Sequence, residues 1–230
     1  LDLQDRFIAD AAHQLRTPLA GLRLQAERAL ADPRAESVRE ALIHVERLSA
    51  GAGRAAGQLL ALARTQSDVD DDAPMQAVDL AHIARELVAE SVPRALAAHI
   101  DLGYAGPNAD ALVAGDAVML REALVNLVDN ALSCLDAGGC VTVEVAYELR
   151  AVSVSVEDDG PGVGEEWWPR LGERFFRAPG SAREGSGLGL AIVRRIAERH
   201  RGALTFARGP AGRGLRATLR FPTFAESTIA

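Results

Sequence analysis

The sequence predicts two folds in series, an all-α helical hairpin followed by an α+β two-layer sandwich. Three observations predict it. Apolar residues step by three and four as far as Leu62, the period of a helix. From Asp79 onward, helical stretches exchange with valines that alternate with polar residues, the period of a strand. Between the two lies an acidic, turn-rich segment.

The first helix carries its stripe on Leu3, Phe7, Ala11, Leu15, Leu22, Ala26 and Ala29, and Asp32-Pro33 ends it in a turn. The second carries Val38, Leu42, Val45, Leu48, Ala52, Ala55, Leu59 and Leu62. Two helices with one apolar stripe each cannot bury those stripes alone. The simplest partner is a second copy, which gives a dimeric four-helix bundle. Gly51, Gly53 and Gly57 interrupt the second helix, each at a cost of about 1 kcal/mol against Ala, and mark either loose packing or a bending point. Gln66 to Val78, with Asp68, Asp70, Asp71, Asp72 and Pro74, reads as a solvated linker.

Asp79 is a good N-cap for a helix reaching about Ser91. A short strand is expected near Ile100 to Tyr104, and an apolar-rich helix over Val118 to Ala131. Gly138-Gly139 then turns the chain into a hairpin of Val141, Val143 and Val145 against Val152, Val154 and Val156. A Gly-rich stretch leads to a helix over Leu190 to His200. Strands over Ala203 to Arg208 and Leu215 to Phe221 close the domain. Antiparallel strands with helices on one face complete the layer architecture. The expected boundaries are a hairpin over residues 1–67, a linker over 68–74, the mixed domain over 75–224 and a tail over 225–230.

Composition removes several functions. The chain has 230 residues, 25 basic side chains against 32 Asp and Glu, and a net charge of −7. All the basic side chains are arginine. Without lysine there is no Walker A loop, Schiff base or lysine general base. The acidic balance argues against nucleic acid as a partner. Two cysteines, Cys134 and Cys140, make no disulfide framework and no zinc box, and Cys134 reads as a packing residue. No apolar run spans a membrane and no signal peptide opens the chain. The chain opens inside a helix, so a fragment of a longer protein is expected.

Four segments carry chemistry. His13 lies nearly opposite the core stripe of its helix, on an accessible face, with Thr17 one turn on. Pro18 withholds an N–H from the carbonyl of Gln14 and bends the helix beside the histidine. Asn126 and Asn130 share one face of their helix, and amide oxygens are hard ligands that suit Mg²⁺ carried by ATP phosphates. Asp158, in Glu157-Asp158-Asp159-Gly160-Pro161-Gly162, offers a carboxylate to an exocyclic amine, and Gly160 and Gly162 let backbone approach a flat base. Gly185-Ser186-Gly187-Leu188-Gly189 opens a helix with free N–H groups fit for phosphate.

The segment His13-Gln14-Leu15-Arg16-Thr17-Pro18-Leu19 resembles the phospho-acceptor box of bacterial two-component sensor histidine kinases. The Asn helix, Asp-Gly turn and Gly loop, in that order, resemble the N, G1 and G2 boxes of the GHKL or Bergerat ATP fold shared with gyrase B and MutL. Arg174-Phe175-Phe176-Arg177 resembles the kinase F box within a lid. The resemblance implies ATP and Mg²⁺ as cofactors, His13 as acceptor and Thr17 as the positioner of a dephosphorylating water. It also implies Arg174, Phe176 and Arg177 near the phosphates. A response regulator would be the partner, a homodimer the working state, and an inner-membrane sensor the full-length protein, with this chain on the cytoplasmic side.

Three departures qualify the match. Gln14 stands where the family usually has an acidic residue, and an amide cannot act as a general base. Ser133 and Cys134 stand where a basic residue and Tyr are usual, so weaker nucleotide affinity is expected. Asn126 stands where ATP-hydrolysing relatives of the fold place a Glu that activates water, so ATP is preserved for the histidine. The alternative is a catalytically weakened nucleotide-binding module that docks or only dephosphorylates a regulator.

Overall fold

In the computed structural model, the described residues are 16, 19–32, 34–64, 75–107, 110–179, 187–209 and 212–224. The chain divides into two units between Arg64 and Thr65.

In the first unit, residues 19–31 form helix α1 and Ala35–Arg64 form α2, a 30-residue helix that Gly51, Gly53 and Gly57 do not interrupt. The turn between them is organised by Asp32. Its carboxylate takes hydrogen bonds from the Arg34 guanidinium at 2.8 Å and from the Ser37 hydroxyl at 2.8 Å. The Arg34 contact holds this carboxyl well below its usual range, at about 2. Gly21 lets α1 approach α2, because a Cβ there would stand 3.0 Å from Leu48 Cδ1. The second-helix stripe holds for Val38, Val45, Leu48 and Ala52, which are half-buried, but Leu42 is exposed. Ala41, not Leu42, turns inward, since it shares a face with Val38, Val45 and Leu48 at steps of three and four.

The second unit is a two-layer sandwich. Its elements are β1 (Gln76–Asp79), α3 (Leu80–Ala97), β2 (Asp101–Ala105), β3 (Leu112–Gly115), α4 (Ala117–Cys134), β4 (Cys140–Glu148), β5 (Ala151–Asp158), a 3₁₀ helix (Glu165–Arg170), α5 (Gly189–Arg199), β6 (Ala203–Ala207) and β7 (Arg216–Pro222). A five-stranded sheet runs in the order β2-β4-β5-β7-β6. Register brings Val143 opposite Val156 and Val154 opposite Leu219, so one face is continuously apolar. Val141, Val143, Val145, Val152, Val154, Val156, Leu219 and Phe221 are buried there. Buried residues of α3, α4 and α5, among them Leu87, Leu124, Leu127, Val128, Ile192 and Ile196, complete the core. The other face carries Glu144, Glu157, Arg216 and Arg220 with their ion pairs.

Four expectations are corrected. The sheet is mixed, because β2 runs parallel to β4. Each of these strands follows a helix, α3 or α4, and two helix-then-strand units side by side make parallel neighbours. A second, two-stranded sheet pairs β1 with β3, so the end of the expected linker, from Gln76, is strand. Helix α3 continues through Pro93 to Ala97, since its last turn is fixed by Ala95, which is 1% exposed, and by the Ala98 N–H to the Arg94 and Ala95 carbonyls. Cys134 is exposed; the next residue, Leu135, turns inward at 4% exposure instead. Among the described residues no helix is long and apolar enough to cross a membrane.

Candidate nucleotide and phosphotransfer site

His13, Gln14, Thr17 and Pro18 lie outside the described residues, as does Gly185. Arg16 is helical and exposed.

Helix α4 begins at Asp116, whose carboxylate accepts the N–H groups of Val118 at 2.8 Å and Met119 at 3.1 Å. One face of α4 faces the sheet, which places Asn126 at 5% exposure and leaves Asn130 half-buried one turn later. The Asn126 amide nitrogen donates to the Glu122 carbonyl at 2.9 Å and to the Glu122 carboxylate at 3.2 Å. That orientation commits its nitrogen to Glu122. Amide oxygens are hard donors, so the pair fits Mg²⁺. Among the described residues no group of three or more His, Cys, Asp or Glu is arranged for a metal. At the end of α4, Ser133 is exposed and its hydroxyl bonds the Asp129 carbonyl.

Strand β5 ends at Asp158, which is 5% exposed. Its Oδ1 accepts the Gly160 N–H at 3.0 Å, the signature of an Asp turn. Burial pushes this carboxyl above the usual range, and the Gly160 and Leu215 amides only partly oppose that. A Cβ on Gly160 would stand 3.1 Å from Leu135 Cδ2 and 3.4 Å from the Cys134 carbonyl, so the turn lies against the end of α4. Gly162 has φ +71, and a Cβ there would meet the Gly214 carbonyl at 2.7 Å. A cleft of about 240 Å³ flanks the turn, between Cys134–Gly139, Asp159–Pro161 and Arg213.

Sequence reasoning missed Gly214 and Arg213. Gly214 backs the Asp158 turn so closely that a Cβ would overlap the Asp158 carbonyl at 1.7 Å, and Arg213 pairs with Asp159 at 3.0 Å. The signal was a Gly-x-Gly pair, Gly212 and Gly214, just before a strand, and nothing local ties it to a turn more than fifty residues earlier.

Leu188 is fully buried and begins the first turn of α5 by accepting the Ile192 N–H at 2.9 Å. Gly187 has φ +68 and lies on the backbone of Phe175, whose N–H donates to the Gly187 carbonyl at 3.0 Å. The F-box and Gly-loop segments are therefore tied directly. Phe176 is half-buried, with the Arg170 guanidinium 4.1 Å above its ring and Trp167 6.0 Å away. Arg174 and Arg177 are exposed.

The two helices that carry the site meet through opposite termini. His200, capping the C-terminus of α5, contacts Asp116 at the N-terminus of α4. Two Asn amides, a buried carboxylate and a helix N-terminus are groups that suit a purine nucleotide with its phosphates and a cation.

Comparison with known proteins identifies families for both parts of the chain. Residues 115–224 match the family described as "Histidine kinase-, DNA gyrase B-, and HSP90-like ATPase", and residues 3–68 match the "His Kinase A (phospho-acceptor) domain". The chain is 36% identical over 228 residues to sensor protein kinase PmrB of Pseudomonas aeruginosa, covering 96% of this chain and 46% of PmrB. It thus spans about half the length of the curated relatives it matches. A solved mycobacterial sensor histidine kinase, MprB, superposes with a TM-score of 0.58 at 30% identity, covering 65% of this chain and 99% of that one. Histidine kinase ThkA in complex with response regulator protein TrrA shares the fold, with a TM-score of 0.75 over 98% of this chain and 64% of that one at 21% identity.

Proposed function

This chain belongs to the sensor histidine kinase family, and from that membership we propose that it transfers the γ-phosphoryl group of ATP to His13 and then to an aspartate of a response regulator. One observation supports the reading: the Asp158 turn lies against the end of α4, the helix that holds Asn126 and Asn130, in a chain that also matches a phospho-acceptor family.

Asp158 and the glycine turns take the base, and the start of α5 takes phosphate. Asn126 and Asn130 would hold Mg²⁺, which supplies charge neutralisation on the phosphates. Arg174 and Arg177 add positive charge from the lid. An unprotonated imidazole nitrogen of His13 attacks the γ-phosphorus, the bond to the β,γ-bridging oxygen breaks, and ADP leaves with that oxygen. Catalysis is then positioning and charge stabilisation. Gln14 orients the ring without acting as a base, so transfer is slower than with a carboxylate there. Thr17 positions water for dephosphorylating the regulator.

The exposed Leu19, Leu24, Leu30, Leu42 and Ile43 support dimerisation of the hairpin. The full-length protein would be an inner-membrane sensor with this part on the cytoplasmic side. Gln14 and Ser133 favour a second reading, a catalytically weakened nucleotide-binding module that docks the regulator or only dephosphorylates it.

Incubation with γ-labelled ATP separates the two. Acid-labile, alkali-stable label that disappears in His13→Ala is expected. Label that persists in His13→Ala overturns the kinase reading, and normal nucleotide binding without any label favours the second.

A further inference from the structure

His200 has no part in the chemistry above, yet it is 4% exposed and both ring nitrogens are engaged. Nδ1 lies 2.7 Å from the Ile196 carbonyl, and Nε2 lies 3.0 Å from the Asp116 backbone nitrogen. A carbonyl only accepts and a backbone N–H only donates, so Nδ1 carries the proton and Nε2 is a bare acceptor. This arrangement exists for the neutral ring alone; a proton on Nε2 would face the Asp116 N–H.

The surroundings are shaped to the ring. A Cβ on Gly115 of β3 would fall 2.7 Å from His200 Cδ2, so glycine there admits the imidazole. Phe221 of β7 meets it edge-on at 6.3 Å. The charged groups around it are Asp116 on α4, which favours the charged ring, and Arg199 on α5, which opposes it. Burial outweighs both and pushes the imidazole below its ordinary range.

The contact's position gives it leverage. It joins the N-terminus of α4 to the C-terminus of α5. At 1.5 Å per residue, Asn126 stands about 15 Å along α4 from Asp116, and Gly189 about 16 Å along α5 from His200. The two distances are similar, so a shift at the pin is carried over a similar length of each helix toward the predicted site residues.

We propose that His200 is a positioning residue for nucleotide binding: its unprotonated Nε2 holds α4 against α5 so that Asn126 and Asn130 stay level with Gly187–Gly189. The proposal rests on the nucleotide site of the kinase reading.

The test measures binding of the non-hydrolysable analogue AMPPNP with Mg²⁺ to the full chain by calorimetry, from pH 8 to pH 5.5. His200→Gln places an amide oxygen where Nε2 accepts; His200→Asn is too short to reach Asp116. At pH 8, His200→Gln is expected to bind as wild type does, and His200→Asn about fivefold more weakly, the effect of one lost buried hydrogen bond. Wild-type affinity should fall toward pH 5.5 more steeply than that of His200→Gln. Equal affinity in all three proteins, or parallel pH profiles for wild type and His200→Gln, overturns the proposal while leaving the kinase reading intact. Wild type that binds no nucleotide overturns both. If His200→Asn does not fold, the paired pH profiles decide, together with the imidazole nitrogen resonances of wild type: an Nε2 proton at pH 8 overturns the proposal.

Discussion

Asp158 holds its carboxylate where water is nearly absent, and burial raises its folded pKa above the ordinary value. Linkage then fixes the sign. A raised carboxyl favours the fold while protonated, and that advantage disappears as pH rises from the unfolded value through the folded one. At neutral pH the free protein carries the full penalty of a buried charge. Asp158→Asn keeps an oxygen for the Gly160 N–H and removes that charge. The variant should therefore unfold at a higher denaturant concentration than wild type at pH 7, with the gain shrinking as pH falls through the window. It should also bind ATP about tenfold or more weakly, as expected when a charged hydrogen-bond acceptor is lost. Denaturant melts across pH and a binding titration check both halves; a variant that is less stable at pH 7 refutes the burial argument. The residue was legible in sequence as an Asp-Gly turn after a strand. Its neighbour Gly214 was not, because the demand for glycine there comes from the Asp158 carbonyl, a contact made only by the folded sheet.

Local signals and distant partners contribute differently to what the sequence shows of each element. Asp79 was legible as an N-cap, and its Oδ1 does accept the Ala81 N–H at 2.9 Å. The same oxygen also accepts the Ala111 N–H at 2.9 Å, which ties β1 to β3. Neither strand was foreseen, since four residues are too few to show alternation and each exists through the other. The parallel pairing of β2 was likewise invisible, because Gly103 and Ala105 give the strand no continuous apolar face. Helix α2 answers a question the sequence left open. Its glycines sit in an unbroken helix, and a Cβ on Gly53 or Gly57 would meet nothing within 4 Å. Each Gly→Ala change should thus stabilise the helix by about 1 kcal/mol. Circular dichroism melts of the single variants and the pair test this. An unchanged or lowered midpoint means that the glycine face is covered in the assembled protein.

At the scale of the molecule, the two units differ in how they bury apolar surface. The second has a core of its own, built from three helices against one face of a sheet. In the first, the hydrophobic residue that is buried among those described is Ala41, while Leu42 is 61% exposed and Leu30 85%. A helical hairpin with so little core is marginal alone, since packing rather than propensity stabilises helices in water. Under the proposed dimerisation, the folded hairpin draws its stability from association with a second copy. Such a unit melts in a concentration-dependent way, whereas the sandwich melts independently of concentration. Leu42→Asp should separate the two behaviours. Losing burial of this side chain costs at least about 1 kcal/mol per copy, and a symmetric dimer loses it twice, so the dimer should dissociate at least about thirtyfold more readily. Sedimentation equilibrium should show the shift toward monomer, with the melt of the sandwich unchanged. A wild-type chain that stays monomeric at high concentration, or a Leu42→Asp dimer as tight as wild type, would place the dimer contact elsewhere or remove it.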